Sequence, residues 1–373
     1  MRRRAVRFRV LPRIQCHLRE LAAADPEPMS LSKSSTAAIA QPIIYLEIDV
    51  HKESIAVVRV LTYTSRSTLG ARVAEKVIVV AGATGRLGGR ISRALRDRGA
   101  RVRAIVRPDT TPGSVGELRR IGVTVAEADY RDADRLTHAC QGASCVVSAL
   151  AGTRDAIVDA QTALLDAAVA AGVPRFIPSD FAIDFYKMPD GYNRNLDYRR
   201  EFSTRLDAAP IAATSILCGM FMELLTGQAP FILFRFRRVV YWENADQAMD
   251  FTTIDDTAAY TAAAALDGTT PRFLRIAGDI TTARGLAKTA SRVTGEPFKL
   301  LRAGGLRRLE KLIRVTRFFS PGKDEVYPPW QGMQYMHNMF DGRPKLKPLD
   351  NDRYPDLRWT SIRDVLRSGR GVP

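Results

Sequence analysis

A glycine-rich stretch, residues 76–90, constrains the fold of this chain more than any other feature. It opens with a run of apolar residues, 77–81, of the kind that forms a strand buried on both faces of a parallel sheet. Gly82, Gly85 and Gly88 then follow at a three-residue interval. Glycine allows a tight turn at Gly82 and a close approach of the backbone to a pyrophosphate at Gly85. At Gly88 it allows the helix to pack closely on the strand.

The residues after the glycines extend this pattern to a β-α-β unit. A helix is predicted over residues 90–98, it ends at Gly99, and a second strand follows over residues 101–106. The amides at the start of the helix, with the helix dipole, form a site for an anion. The sequence therefore predicts a dinucleotide site, and the alternative is a glycine-rich turn that only packs on a sheet. The predicted loop contacts are Gly82, Thr84, Gly85, Arg86, Leu87 and Gly88.

The residue after the second strand indicates which nicotinamide cofactor is preferred. A carboxylate at this position would bind the ribose 2′-hydroxyl of NAD, but Arg107 stands here and can pair with the 2′-phosphate of NADP. The predicted cofactor is therefore NADP(H), with Arg86 as a second phosphate contact. The alternative is that Arg107 is only a solvent-facing loop residue.

Strands and helices continue to alternate, which predicts an α/β fold with a doubly wound parallel sheet of the Rossmann type. Further strands are predicted over residues 123–128, 145–150 and 175–177. Asp129 follows the first of these, where its carboxylate would meet the adenine amino group or cap the next helix. The strand at 145–150 ends in small residues that let a nucleotide lie flat across it, and Ala149 is the contact predicted there.

Length and composition place the chain among globular proteins with two domains, or with one domain and an extension. The chain has 373 residues, of which 46% are hydrophobic. We predict a basic, poorly structured N-terminal extension over residues 1–74 and a nucleotide-binding domain over residues 75–230. Residues 231–373 follow this domain as a smaller C-terminal part.

The net charge of +16 raises nucleic acid as a partner. Residues 1–74 hold 12 Lys and Arg against 6 Asp and Glu, so the charge on the rest of the chain is that of a solvated basic surface. We therefore expect a small-molecule substrate as the partner, with nucleic acid disfavoured and the oligomeric state open. No apolar stretch is long enough to span a membrane.

The four cysteines lack the paired spacing of a metal site, so no metal is predicted. Reduced thiols in a cytoplasmic protein are their simplest explanation. The sequence has no secretory signal, and its Arg-rich start leaves an organellar transit peptide as the alternative to a cytoplasmic location.

Residues 43–62 carry a separate signal. Two strands, 43–50 and 55–62, are predicted to form a β-hairpin. The segment that begins at Glu47, Glu-Ile-Asp-Val-His-Lys-Glu-Ser, resembles the start of insertion-sequence transposases with a RuvC-like nuclease domain. The resemblance puts the first metal-binding carboxylate of that domain on Asp49. Such a domain needs several carboxylates on one sheet. Because the resemblance ends by about residue 62, we expect a truncated and catalytically inert fragment.

Motifs spread over about residues 75–368 resemble one branch of the short-chain dehydrogenases/reductases. The glycine loop, the arginine after the second strand and the words Arg175-Phe-Ile-Pro-Ser-Asp-Phe are similar to the NmrA-like and isoflavone-reductase-like group of atypical members. The likeness continues to Pro329-Trp-Gln-Gly-Met-Gln-Tyr. It implies NADP(H) across the strand ends of a Rossmann core, with Ser179 and Phe181 near the nicotinamide. It also implies a smaller C-terminal substrate lobe over residues 231–373, partly interleaved with the Rossmann sheet.

Hydride transfer needs a proton donor for the developing oxyanion. Neither Tyr192 nor Tyr198 begins a Tyr-x-x-x-Lys pair, and the resemblance puts Arg199 where isoflavone-reductase-like enzymes have a catalytic lysine. Arginine stays charged and is no general acid near neutral pH, but it can stabilise an oxyanion. Lys187 is the nearest lysine; it is a substitute if its loop folds over the cofactor, and otherwise a surface residue.

Residues 327–340 are rich in aromatic residues and methionine, and they are the predicted wall of an apolar substrate pocket. Its predicted contacts are Trp330, Tyr335 and His337, and the alternative is a packing segment with a hydrogen-bonded histidine. The predicted function is that of an NADPH-dependent reductase of a small carbonyl, enone or aromatic compound. The alternative, favoured by the missing tyrosine and lysine donors, is a non-catalytic NADP(H)-binding redox sensor that acts through a protein partner.

Overall fold

The computed structural model describes residues 43–51, 54–63, 76–227, 229–322 and 325–368. The chain divides into two compact units, Met1–Ala71 and Arg72–Pro373. In the first unit, β1 (Ile43–His51) pairs antiparallel with β2 (Ser54–Tyr63), which confirms the predicted hairpin. The poorly structured lead predicted before residue 43 and the side chain of Asp49 lie outside what the structure describes.

A six-stranded parallel sheet lies at the centre of the second unit. Its strands are β3 (Val77–Ala81), β4 (Arg101–Val106), β5 (Thr124–Glu127), β6 (Cys145–Ser148), β7 (Arg175–Ile177) and β8 (Ala212–Ala213). Their spatial order is β5-β4-β3-β6-β7-β8, and each neighbouring pair is parallel. The order reverses between β3 and β6, which confirms the predicted doubly wound sheet and leaves a crevice at the carboxyl ends of these two strands.

Helices cover both faces of this sheet. They are α1 (Arg86–Asp97), α2 (Pro112–Arg120), α3 (Ala133–Cys140), α4 (Gln161–Ala170), α5 (Arg194–Ala208) and α6 (Ile254–Leu266). Successive side chains of a strand point to opposite faces. Ile78 and Val80 accordingly pack with α1 and α6, whereas Val79 and Ala81 pack with α3, α4 and α5. All four side chains are fully buried, as the unbroken apolar run predicted.

Some element boundaries differ from the sequence prediction. Helix α1 begins at Arg86, four residues before the predicted start, with Gly85 as its N-cap. The strand predicted over residues 145–150 ends at Ser148. A six-residue π-helix, Asp155–Ala160, leads into α4. These shifts lie at element ends, where local propensity is weak and tertiary contacts decide.

The described chain after β8 builds three smaller sheets, the first of two strands and the others of three. Thr214 alone separates β8 from β9 (Ser215–Leu217), and β9 pairs parallel with β14 (Phe273–Arg275). One small sheet comprises β10 (Met220–Phe221), β13 (Met249–Thr252) and β15 (Asp279–Thr281), and the other comprises β11 (Ile232–Leu233), β12 (Arg238–Trp242) and β16 (Lys299–Gly304).

Four helices complete this C-terminal part of the chain. They are α7 (Ala283–Thr294), α8 (Leu306–Phe319), α9 (Pro329–Asp341) and α10 (Ile362–Arg367). Apolar side chains of all four helices meet those of β12 and β13 in one core, which also takes Leu196 from α5. Across the described ranges, no helix is long and apolar enough to cross a membrane.

Candidate cofactor and active site

Two of the three loop glycines stand where a side chain has no room. Gly82 has φ +75°, and a Cβ atom there would come within 2.6 Å of the Ala149 carbonyl oxygen. A Cβ atom on Gly88 would lie 2.2 Å from the Gly82 carbonyl oxygen. Gly85 has an ordinary φ of −79°, and its N–H donates to Gly82 at 3.0 Å. The turn and the helix packing therefore require glycine, whereas Gly85 lies exposed at the mouth of the loop.

The start of α1 presents backbone donors to the crevice. The first N–H groups of a helix have no partner inside the helix. In α1 no side chain caps them, and no acidic residue lies in the first turn. Thr84 and Arg86 are exposed beside these amides, and Leu87 is half-buried. The loop thus has the small residues, free amides and helix dipole that hold a pyrophosphate.

The neighbouring strand ends bring Arg107 and Asp129 close together. Arg107 follows β4 and is 67% exposed, with its Nε atom 3.3 Å from an oxygen of Asp109. Asp129 follows β5 and accepts hydrogen bonds from Nε and Nη2 of Arg131, at 3.0 and 2.6 Å. These bonds hold the pKa of Asp129 well below its usual range, and the charge of Arg107 lowers it further. Both side chains thus lie at the edge of the crevice.

The alternative role given to Asp129, as a helix cap, is wrong. The N-cap of α3 is Asp132, whose side chain accepts from the Arg135 N–H at 3.0 Å. Asp129 lies too far before Ala133 to reach the free amides of the first turn.

The ends of β6 and β7 are joined by hydrogen bonds to Ser179. Its Oγ atom donates to the Leu150 carbonyl at 2.7 Å, and its N–H donates to Oε1 of Gln161 at 2.8 Å. The N–H of Ala149 donates to Ala81 at 2.9 Å, beside the glycine loop. Phe181 is only 8% exposed and packs in the core that β3 shares with α1 and α6. Ser179 is therefore connected to the loop through the residues that follow β6.

Arg199 lies at the same edge of the sheet. Its Nε atom donates to the Ser179 carbonyl at 3.0 Å, and its Nη1 atom donates to the Asn195 carbonyl at 2.9 Å. A continuous line of contacts therefore runs from the glycine loop through Leu150 and Ser179 to this guanidinium. Its charge stays fixed at physiological pH because arginine does not deprotonate there.

Lys187 has different contacts. Its Nζ atom lies 3.2 Å from Oδ2 of the fully buried Asp184 and donates to the Lys345 carbonyl at 2.7 Å. Lys187 is thus a surface residue, as the alternative expected, and it links its loop to the segment that follows α9.

Two of the three predicted pocket residues are packing residues in this structure. Trp330 is 1% exposed, and its ring lies between the guanidinium groups of Arg194 and Arg317, at 4.8 and 4.9 Å from the ring centre. His337 is 2% exposed, with Nε2 3.1 Å from a carboxylate oxygen of Glu310. These contacts favour the packing alternative for both residues. Tyr335 is the half-buried member of the three.

Residues that the sequence did not single out hold α9 against the start of α5. Asn193 bonds to both Asn338 and Gln331, at 2.9 and 2.7 Å, and the Arg194 N–H donates to Gln334 at 3.2 Å. The bonded residues are 138 to 145 positions apart along the chain. No periodicity or local motif signals such a contact.

Asp180 is a second residue that sequence reasoning missed. It is fully buried, and its Oδ2 atom accepts from Ser215 Oγ at 2.6 Å, while Oδ1 has no partner among the described residues. Burial raises the pKa of this carboxyl, and the nearby charges of Arg199 and Arg272 oppose that rise. Its position one residue after Ser179 was the available signal, but burial cannot be read from position alone.

The described cysteines are buried, free thiols. Burial raises the pKa of Cys140 to about 11 and that of Cys145 and Cys218 to about 12, so these thiols stay protonated and unreactive near neutral pH. Within the described ranges, no three side chains of His, Cys, Asp or Glu are grouped to hold a metal ion.

The reversed strand order and the glycine loop at the point of reversal define a Rossmann-type α/β protein. The NmrA-like family matches residues 74–319, which is more than half of the chain, so the protein belongs to that family. The resemblance predicted from the sequence motifs is confirmed at this level, whereas nothing in the structure or the comparisons bears on the likeness of residues 43–62 to transposases.

The chain matches two relatives over nearly the full length of each relative. Pinoresinol reductase 1 of Arabidopsis thaliana is 25% identical over 329 residues, which are 79% of this chain and 98% of the relative. The bifunctional pinoresinol-lariciresinol reductase of Linum usitatissimum is 24% identical over 313 residues, which are 78% of this chain and 97% of the relative.

Solved structures share the fold. AtPrR2 with NADP+ and (+)pinoresinol matches with a TM-score of 0.67 at 22% identity, over 79% of this chain and 98% of that one. The leucoanthocyanidin reductase–NADPH complex from Vitis vinifera matches with a TM-score of 0.64 at 15% identity, over 79% and 99% of the two chains.

Proposed function

We propose that the protein is an NADPH-dependent reductase of a small carbonyl, enone or aromatic compound. The observation that supports this most directly is the line of contacts from the glycine loop through Leu150 and Ser179 to Arg199. This line puts a fixed positive charge beside the crevice in which a dinucleotide lies in Rossmann proteins. The names of the relatives, which are reductases of aromatic compounds, support the same class of substrate.

The residues of the crevice fit NADP(H). Gly82 and Gly88 keep the loop tight enough for the backbone to approach a pyrophosphate, and Arg107 is exposed where the 2′-phosphate of the adenosine ribose would lie. Asp109, the present partner of Arg107, is 74% exposed, so this ion pair is weak and a phosphate would displace it. When bound, NADPH would supply the hydride.

The acceptor side, the end of the crevice where the substrate would lie, would present the guanidinium of Arg199. Arg199 would stabilise the negative charge that develops on the substrate oxygen, because its guanidinium stays charged and is held by two backbone carbonyls. Ser179 would fix this arrangement from the nicotinamide side, since it bonds to the end of β6 and its carbonyl accepts from Arg199.

A non-catalytic NADP(H) sensor is the second candidate. The observation that favours it is Arg199 itself, which the family resemblance puts at the position of a catalytic lysine and which cannot release a proton near neutral pH. Such a sensor would bind NADPH without oxidising it and would pass its occupancy to a protein partner.

One screen separates the two candidates. The full chain is incubated with NADPH and a panel of quinones, enones, aromatic aldehydes and pinoresinol, and NADPH oxidation is followed by absorbance. Turnover with at least one acceptor supports the reductase and excludes the sensor. Tight NADPH binding, measured by calorimetry, without turnover of any acceptor would overturn the reductase. The control is the Arg107→Ala variant, which should need more NADPH for the same rate.

A further inference from the structure

We propose that Tyr335 is the proton donor of the reaction and that Arg199 stabilises the tyrosinate left behind, in place of the lysine that related reductases use. This inference rests on the proposed function, because it assigns a residue to the reduction step. It differs from the sequence-based expectation, in which Tyr335 was only a wall of the pocket.

The placement of Tyr335 follows from the way α9 docks. Gln331, Gln334 and Asn338 all bond to the first residues of α5 or to the residue just before it. Residues four and three apart on a helix share a face. Tyr335 is four residues after Gln331 and three before Asn338, so it lies on the docked face.

The start of α5 brings Arg199 to the same place. Arg199 is one helical turn after Asn195 and donates to its carbonyl at 2.9 Å. The side chain of Asn195 donates to the Val326 carbonyl at 2.9 Å and is a hydrogen-bond partner of the Tyr335 hydroxyl. The phenol of Tyr335 therefore lies beside Asn195 and within the field of the Arg199 charge, and Arg199 is the residue at which the contact line from the glycine loop ends.

The electrostatics suit a proton donor. Burial raises the pKa of Tyr335 to about 12, so the phenol is protonated and donates a hydrogen bond near neutral pH. Of the charged groups that face it, Arg199 opposes this rise most strongly, and Arg194 does so to a smaller extent. Both favour the tyrosinate, whereas the neighbouring Tyr327 disfavours it. The arginines thus lower the cost of the tyrosinate that forms after proton transfer.

Three other ionisable groups near this edge already have partners of their own. His337 faces Glu310 on α8, and Lys187 lies against the buried Asp184. Asp180 has no exposed surface and bonds to Ser215. Tyr335, by contrast, is a half-buried phenol on the face of α9 that meets α5, and it is protonated near neutral pH.

The proposed step balances for a carbonyl substrate. The carbonyl carbon takes the hydride that NADPH supplies, and the electron pair of the C=O π bond moves to the oxygen. That oxygen takes the proton of the Tyr335 hydroxyl, which forms the alcohol and leaves tyrosinate beside Arg199. NADPH is oxidised to NADP+, the substrate is reduced by two electrons, and water returns the proton to Tyr335.

The central test is Tyr335→Phe, which removes one hydroxyl group and keeps the ring. With the best acceptor from the panel, we expect kcat to fall about 10²- to 10⁴-fold, the range typical of a lost general acid. NADPH affinity and the thermal unfolding midpoint should not change. The matched control is Tyr327→Phe, on the neighbouring tyrosine whose ring centre lies 6.5 Å away, and it should keep wild-type turnover.

A second pair of variants tests the role of Arg199 as a stabilising residue. Arg199→Met should lower kcat strongly, whereas Arg199→Lys should recover most of the rate because it restores a positive charge beside Tyr335. A residue that only held the fold would show no such rescue by lysine. This pair also tests the assignment if Tyr335→Phe does not fold, since full activity of Arg199→Met would overturn it.

The outcomes are distinguishable. If the wild-type protein turns over and Tyr335→Phe keeps its kcat within about threefold, less than any general-acid effect, the assignment of Tyr335 is overturned and the proposed function stands. If the wild-type protein binds NADPH but turns over no acceptor, the proposed function is overturned and the assignment falls with it.

Discussion

The cofactor edge and the acceptor side of this protein are built in different ways. At the cofactor edge, backbone groups and glycines form the phosphate-binding loop, within the seven residues from Gly82 to Gly88. On the acceptor side, long polar side chains join α5 to α9 across more than 130 positions of the chain. A site built from adjacent backbone leaves a local sequence signature, and a site built from distant side chains does not.

The two regions also differ in burial. Arg107 and Asp109 at the cofactor edge are 67% and 74% exposed, so a ligand can replace their ion pair at little cost. Asn193, Gln331 and Asn338 are at most 2% exposed. Buried amides that lose a partner carry the full desolvation penalty, so the contact between α5 and α9 is the rigid part of the site. Substitutions of the buried residues that join α5 to α9 should therefore affect mainly stability, whereas a substitution of Arg107 should affect mainly ligand binding.

The largest effect is expected at Trp330. Trp330→Ala should lower the free energy of unfolding by about 3 to 5 kcal/mol, because it empties a fully buried site and removes the ring that lies between Arg194 and Arg317. Chemical denaturation measures the change. Tyr327→Ala, at a side chain that is 63% exposed, is the control and should change stability by less than about 0.5 kcal/mol. Equal effects would mean that α9 is not rigidly docked.

A smaller loss of stability is expected in the glycine loop. Gly88→Ala should cost about 2 to 3 kcal/mol, because its Cβ atom would lie 2.2 Å from the Gly82 carbonyl oxygen and the backbone would have to shift. Gly113→Ala, at a helix position with no atom within 4 Å, is the matched control and should be neutral or slightly stabilising. Thermal unfolding of both variants compares them. A neutral Gly88→Ala would show that α1 does not pack tightly on the loop.

The next effect concerns binding instead of stability. Arg107→Ala should weaken NADPH binding by about 1.5 to 3 kcal/mol and leave NADH binding nearly unchanged, because a charge-assisted pair with the 2′-phosphate is lost in one case only. Calorimetric titration with both cofactors measures this, with the exposed Arg120→Ala as the control. Equal weakening of NADPH and NADH would mean that Arg107 has a structural role.

The smallest effect is expected from removing the N-terminal extension. Both neighbours of β3 in the sheet, β4 and β6, come from later in the chain, so the central sheet needs no strand from before residue 76. A chain that begins near residue 72 should keep its NADPH affinity and lose less than about 1 kcal/mol of stability, as for other surface changes. A larger loss in denaturant unfolding would show that the extension docks on the second unit.

The sequence by itself determined the nucleotide half of the fold. The apolar run before Gly82 required a strand buried on both faces, and the left-handed φ of Gly82 and the tight contact of Gly88 required residues without a Cβ atom. These demands act between near neighbours in the chain, so they appear as spacing. The family resemblance rested on the same local words and is confirmed.

Only the tertiary structure decided the acceptor side. The sequence placed Trp330, Tyr335 and His337 together as pocket residues. The structure buries Trp330 between two arginines, pairs His337 with Glu310, and leaves Tyr335 half-buried. In the structure, Asp132 caps α3 and Asp180 is buried. Which side of α9 meets α5 depends on hydrogen bonds between residues far apart in the chain, and such bonds impose no period on the sequence.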